Sequence, residues 1–389
     1  MIEKALKGGR GYWAWMIFLL AIMGMGGMFY VQQFNYGLGI TGMSRDVTWG
    51  IYISQFTFLV GVAAGGLMLV LPYYIHHYKD FGRITILGEF MAIAAVIMCL
   101  MFILADLGQP IRALNVLLHP TPNSMLFWDM IVLNGYLFLN VVCGWAVLHA
   151  EYKGLKYATW VKYLIYLSIP WAVSIHTVTA FLYCGLPGRH FWLTAILAPR
   201  FLASAFAAGP ALLLLAALIM EQTTKFRVGQ IAKDKLVTII GYAAIINLFF
   251  LGCEFFVGYY SNIPGHMHTL DYLFWGLEHD GHMYNNLVPF MRASMVMGLV
   301  GIPLIFVART KQSTGLLALS CALIFLSLWI DKGLGLVLGG FVPNMLEQVT
   351  EYTPSVQELG ITAAIWATGF FLLTLLYKVA IEVKLEKEM

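Results

Sequence analysis

The chain has 389 residues, 60% of them hydrophobic and 11% charged, with a mean hydropathy of +0.78 and a formal net charge of +3. Soluble chains carry about 25% charged and about 45–50% apolar residues, so this composition excludes a soluble enzyme, a disordered chain and a nucleic-acid-binding protein. It describes a polytopic membrane protein.

Crossing the hydrocarbon core takes runs of about 20 apolar residues. Ten such runs are predicted, at 12–32, 50–76, 84–106, 124–149, 160–183, 195–220, 236–258, 288–308, 315–339 and 359–381. They are continuous rather than alternating, which favours helices over a barrel. The start, MIEKALKGGR, has the basic character of a signal peptide, but the run after it is long enough to span and reads as an uncleaved first helix. FLVGVAAGGLMLVL (58–71) resembles LASAFAAGPALLLL (202–215), four spans later. Small residues there permit close helix contact. The expected fold is therefore all-α: a single polytopic membrane domain over 1–389 with about ten transmembrane helices. Two parallel-repeat four-helix bundles, 50–183 and 195–339, are flanked by the first and last spans. Parallel halves also occur in transporters, so the repeat selects no function.

Lys and Arg set the expected orientation. With the N-terminus inside, 17 of the 23 basic residues fall on the inner side. The long segments 259–287 and 340–358, on the outer side, hold none. The expectation is a cytoplasmic (inner) membrane protein with both termini in the cytoplasm.

Ionisable groups within spans are costly and mark function by default. Asp106, Asp129 and His176 lie toward the outer ends of three consecutive spans, with Arg112 as the nearest other base. Such groups suit proton exchange with a reducible, lipid-soluble molecule. His176, with a reference pKa of about 6.5, is expected to hydrogen-bond a quinone carbonyl. Asp106, beside Gln109 and Arg112, would relay a proton, and Asp129 would bias His176 toward its charged form. Ser174 and Thr177 offer further hydrogen bonds, although span hydroxyls commonly bond their own helix. Glu254, Arg292, Asp331 and Lys332 form a second polar line, leading inward toward Glu89 and His77. They pair equally well with one another, Glu254 with Arg292, for example, and Asp331 with Lys332 or another base. The cysteines at 99, 143, 184, 253 and 321 form no CxxC or CxxCH, so no iron–sulfur cluster or c-type haem is expected. His176 lacks a histidine partner at its depth for haem b, and no metal site is expected among the loop histidines.

The stretches DLGQP (106–110), TPNSMLFWD (121–129), SIHTVTAFLY (174–183), PGRHFWLTAILAPRFLASAFAAGPALL (187–213) and IPGHMH (263–268) carry a resemblance along nearly the whole chain. They resemble the NrfD/PsrC family of quinone-interacting membrane subunits, and within it the DsrP branch found in DsrMKJOP complexes. The resemblance implies eight to ten spans, no resident redox cofactor and a quinone site near the outer face. It also implies partners: a periplasmic ferredoxin-like iron–sulfur subunit, a multihaem cytochrome c, a haem-b membrane subunit and a cytoplasmic iron–sulfur subunit.

The function expected is exchange of electrons between menaquinone or menaquinol and a docked iron–sulfur protein, linked to dissimilatory sulfite or sulfur metabolism. The alternatives are the membrane anchor of a polysulfide- or molybdopterin-type reductase and, in another class, a secondary transporter. A transporter would place its site at the midplane on discontinuous helices.

Overall fold

The computed structural model describes residues 2–75 and 78–388, with side-chain surroundings for all of these except Ile2, Lys387 and Glu388. Among them are ten helices long and apolar enough to cross a membrane. These are α1 (Arg10–Tyr36), α2 (Ile51–Tyr74), α3 (Thr85–Asp106), α4 (Met125–Tyr152) and α5 (Thr159–Cys184), then α6 (Leu197–Thr223), α7 (Gln230–Tyr260), α8 (Val288–Thr310), α9 (Thr314–Gly339) and α10 (Val356–Glu388). The chain is an all-α, multi-pass integral membrane protein. The ion pair between Lys4 and Glu386 brings both termini to one face, and the opposite face carries the longer connections. We call these the termini face and the loop face.

Helices α2, α3, α4 and α5 pack in a ring, and α6, α7, α8 and α9 pack in a second one. α1 and α10 pair with each other and lie against α3. The rings meet chiefly where α2 crosses α6. A Cβ on Gly65 would lie 2.5 Å from the Cα of Gly209, and one on Gly209 would lie 2.6 Å from the Cα of Gly65. The two AAG triplets of the repeated sequence thus meet at one crossing, and only glycine permits that backbone approach. Every residue of Ile51–Gly65 is buried, so this segment has no lipid-facing side.

Two spanning helices are irregular. α2 is interrupted at Gly66, where a Cβ would come within 3.0 Å of the Gly88 carbonyl oxygen. α9 widens into a π-turn over Trp329–Gly335. A π-turn admits an extra residue and re-aims its side chains, commonly at functional sites. Here it turns the adjacent Asp331 and Lys332 both into the interior.

The loop face is partly structured. A helix at Pro264–Phe274 leads into a small hairpin, Leu277–His279 paired with His282–Tyr284. Its turn residues Asp280 and Gly281 both have positive φ, 51° and 75°, the Asp-Gly chemistry that two-residue hairpin loops require. Trp192 is fully buried on this side, donating from Nε1 to the Leu336 carbonyl at 2.8 Å and stacking on Trp49.

Candidate functional site at the loop-face ends of the helices

His176 sits on the buried stripe of α5 with Ala172, Thr179 and Tyr183, spaced at helical repeats. Its Nε2 lies 3.2 Å from Nζ of Lys332, which reaches across from the π-turn of α9 and also packs 4.1 Å from the Phe201 ring centroid. The base neighbouring His176 therefore comes from the second ring. Of the partners the sequence allowed Asp331 (Lys332 or another base), Lys332 is thus turned elsewhere, and the thin supply of base expected around the first ring is supplemented from the second. His176 Nδ1 is buried and has no hydrogen-bond partner.

Asp129 is fully enclosed and accepts from the Thr179 hydroxyl at 2.8 Å, a bond that ties α4 to α5. Among the described residues Asp129 makes no hydrogen bond to His176, and Thr179, on the same α5 stripe, is its partner. Thr57 and Tyr183 share a short hydroxyl–hydroxyl contact beside it. Ser174 donates to the Trp171 carbonyl at 2.7 Å and Thr177 to the Val173 carbonyl at 3.0 Å, so both hydroxyls are held by their own helix.

Asp106 ends α3 with Oδ1 buried and without a partner. Its surroundings come from α1, α2 and α10. Gln33 donates to the Ala105 carbonyl at 2.6 Å and accepts from the Tyr52 hydroxyl at 2.6 Å. Nearby, fully buried Glu358 accepts from Gly42 N–H (2.7 Å), the Tyr352 hydroxyl (2.6 Å) and Ser355 N–H (2.8 Å). Gln109 and Arg112, expected beside Asp106, are exposed. Gln33 and Glu358 escape a reading of the sequence: one sits in the most lipid-facing helix and the other reads as a loop acid. Among the described residues, no direct hydrogen bond joins any two of Asp106, Asp129 and His176.

In the second ring Asp331 pairs with a base other than Lys332, as the sequence allowed, and Glu254 with one other than Arg292. Arg200 of α6 donates to Asp331 at 2.8 Å and forms a short ion pair with Glu254. Arg292 is exposed instead, donating to the Phe274 carbonyl at 2.9 Å and packing over Trp275. Arg200 follows a proline in the first turn of α6 and so reads as a surface charge. Its spacing to Ser204, Ala207 and Ala211 places it on the buried face, and that period is the available signal. A cleft of about 470 Å³ lies between α7, α8 and α9, its polar lining being Asn247, Ser294, Ser327 and Asp331. A second, of about 340 Å³, has Glu254 and His266 among its walls.

Toward the termini face, Glu89 is buried in α3 with Oε2 unpartnered, 3.5 Å from where a Gly144 Cβ would stand. Lys384 of α10 pairs there with Glu151 at 3.2 Å. Among the described residues no hydrogen bond connects Glu89 to the Arg200 cluster, and His77 lies outside the described residues. On the loop face, burial and the neighbouring His190 hold the imidazole of His266 below the ordinary histidine range. Among the described residues, no three His, Cys, Asp or Glu side chains converge as a metal centre would require.

Known membrane subunits of reductases share this sequence along much of its length. The chain is 26% identical over 382 residues to the putative dimethyl sulfoxide reductase membrane subunit of Halobacterium salinarum, covering 93% of this chain and 84% of that one. It is 28% identical over 206 residues to the Hdr-like menaquinol oxidoreductase integral membrane subunit of Archaeoglobus fulgidus, covering 52% and 49%. It is 21% identical over 383 residues to the menaquinone reductase integral membrane subunit of Nitratidesulfovibrio vulgaris, covering 94% and 90%. Residues 39–330 match the family described as polysulphide reductase, NrfD, and the chain belongs to that family of integral membrane subunits.

Proposed function

We propose that the chain is the quinone-reactive membrane subunit of a multi-subunit respiratory oxidoreductase, taking menaquinone or menaquinol at the loop-face ends of α3, α4 and α5. The observation that carries this reading is the pair Asp106 and His176. Both are titratable, and each has a buried polar atom with no partner. Buried polar groups are ordinarily satisfied, so an unpaired one is open to a water or a ligand atom, and these two lie toward the loop-face ends of their helices. The names of the Archaeoglobus and Nitratidesulfovibrio relatives support quinone as that ligand.

Quinone reduction consumes two electrons and two protons. The electrons come from outside this chain, from a ferredoxin-like iron–sulfur subunit docked on the loop face, and the protons pass through its side chains. With Lys332 donating to Nε2, a neutral His176 carries its proton on Nδ1, the nitrogen free to donate to a quinone oxygen. The proton that Nδ1 gives up is replaced at Nε2 from the Lys332 ammonium, so the imidazole stays neutral. Asp106 holds the second proton, and Asp129 positions His176 by fixing α5 through Thr179. The Glu254–Arg200–Asp331 cluster keeps Lys332 in place beside His176.

In this reading the loop face is periplasmic, as the distribution of Lys and Arg favours. The wider assembly is of the DsrMKJOP kind, linked to sulfur metabolism. The Halobacterium relative favours a second assignment, in which the same quinone chemistry serves the membrane anchor of a terminal reductase. Quinol-linked turnover of the intact complex tests the site. His176→Ala and Asp106→Asn should each cost about 100-fold or more. Normal turnover with bound menaquinone in both variants would refute the assignment.

A further inference from the structure

The segment between α3 and α4 differs in charge from the loop-face connections that precede α8 and α10. From Leu107 to Trp128 it contains no acidic residue, and its charge is Arg112 with His119 beside it. The other two carry Asp271, Glu278, Asp280, Glu347 and Glu351 and neither Lys nor Arg. Within the α3–α4 segment, Pro110–Arg112 and Asn115–Leu118 form two short helical turns. Ile111, Leu114, Leu117 and Leu118 project outward, Ile111 81% and Leu118 69% exposed. Beyond the polar stretch 119–124, Leu126 and Trp128 are exposed on α4. Four large aliphatic side chains in water are costly, at about 25 cal/mol per Å². Exposed apolar side chains flanked by an arginine and no acid match acyl chains beneath phosphate headgroups.

The same segment closes one side of a cleft against α1. The cleft is shallow and opens outward, lined by Tyr30, Gln33, Phe34 and Leu38 from α1 and the turn after it, and by Leu107 and Gly108 from the segment. Gln33 donates to the Ala105 carbonyl, so Asp106 sits between a residue bonded to the cleft wall and one that lines the cleft.

Resting on the functional reading above, we propose that residues 107–118 lie in the headgroup region of the bilayer and that the α1-side cleft is the lateral portal through which a lipid-soluble quinone reaches Asp106. α1 suits one wall of a portal: most of its surface is exposed, and α10 is its main packing partner. Gln33 at the cleft floor is held by Ala105 and Tyr52 and fixes the wall of the cleft beside Asp106.

Two measurements on the intact complex in lipid nanodiscs test this. An environment-sensitive label on Leu117→Cys, in a Cys184→Ser, Cys253→Ser background, is expected to be quenched by brominated lipid and shielded from aqueous quencher. Quenching from water alone would overturn the proposal and mark the segment as a docking face for a protein partner. In the second, Leu38→Trp fills the cleft. Affinity for long-tailed menaquinone should fall about tenfold, with unfolding temperature unchanged. Wild-type binding that Leu38→Trp leaves intact would overturn the portal alone. A wild-type complex that binds no quinone would overturn the functional reading and the portal with it.

Discussion

Lys332 of the α9 π-turn and His176 of α5 meet at 3.2 Å, both buried, and they join the two four-helix rings at the depth of the proposed site. Gly61 packs against the contact: a Cβ there would stand 3.1 Å from the Lys332 ammonium and 3.6 Å from His176 Nε2. Lys332 therefore acts through His176 as a positioning residue. Replacing it with Met should lower quinol-linked turnover about 100-fold while leaving complex assembly intact. Its distinguishing signature is a displaced pH profile of turnover, with Lys332→Arg retaining part of the activity. An unchanged profile in Lys332→Met would reject the role.

Arg200 stands between two buried carboxylates. Removing one partner of a buried ion pair leaves uncompensated charge, at a cost of about 3–5 kcal/mol. Arg200→Met should therefore yield little folded protein. Combining it with Glu254→Gln and Asp331→Asn should restore much of the loss, because a neutral cluster carries no such penalty. Unfolding temperatures of the purified variants in one detergent decide the matter, and a triple variant no better than the single one would contradict it.

Gly209 and Gly65 should tolerate no side chain. Overpacking ordinarily costs about 1–3 kcal/mol, and here the obstructing atoms are backbone, which has no rotamer to yield. Gly209→Leu should fall at or beyond the top of that range. Gly252→Leu is the control, since nothing lies within 4 Å of a Cβ at that position. Equal thermal stability in the two variants would show that the α2–α6 crossing is not close-packed.

His266 gives a pH dependence with a definite sign. Its folded-state pKa is lowered, by burial and then by His190, so the unfolded chain binds more protons than the folded one below the ordinary histidine range. The stability this contributes is present above a pH of about 6.5 and is lost as pH falls through the lowered value. Thermal unfolding followed from about pH 7.5 to about pH 5, a window that brackets the ordinary imidazole titration, should show a decline in the wild type that His266→Gln reduces. Identical declines would mean that the imidazole titrates normally.

The amino-acid sequence determined a great deal of this protein without help. Ten continuous apolar runs specify ten helices, because a chain in hydrocarbon must satisfy its backbone internally. The AAG repeat marked two places where helices could approach closely, and that the two triplets meet each other is visible only in the fold. Burial of Asp129 and His176 was legible for the same reason: apolar residues surround both along the chain. Pairing was not legible. Whether Glu254 meets Arg292 or Arg200 depends on which faces of α6, α7 and α8 turn inward. Most of the apolar runs are hydrophobic on every side, so apart from the small residues in register with Arg200 on α6 no stripe reports rotation about the helix axis. The π-turn is a second case. Lys332 follows Asp331 in sequence, yet one extra residue in the turn sends Asp331 to Arg200 and Lys332 to His176. Gln33 and Glu358 reach the surroundings of Asp106 only because α1 and α10 fold back against α3. Composition and hydropathy act locally along the chain and fix which segments enter the membrane. Helix rotation and long-range return of the termini are decided by packing among all ten helices, and that competition exists only in the folded molecule.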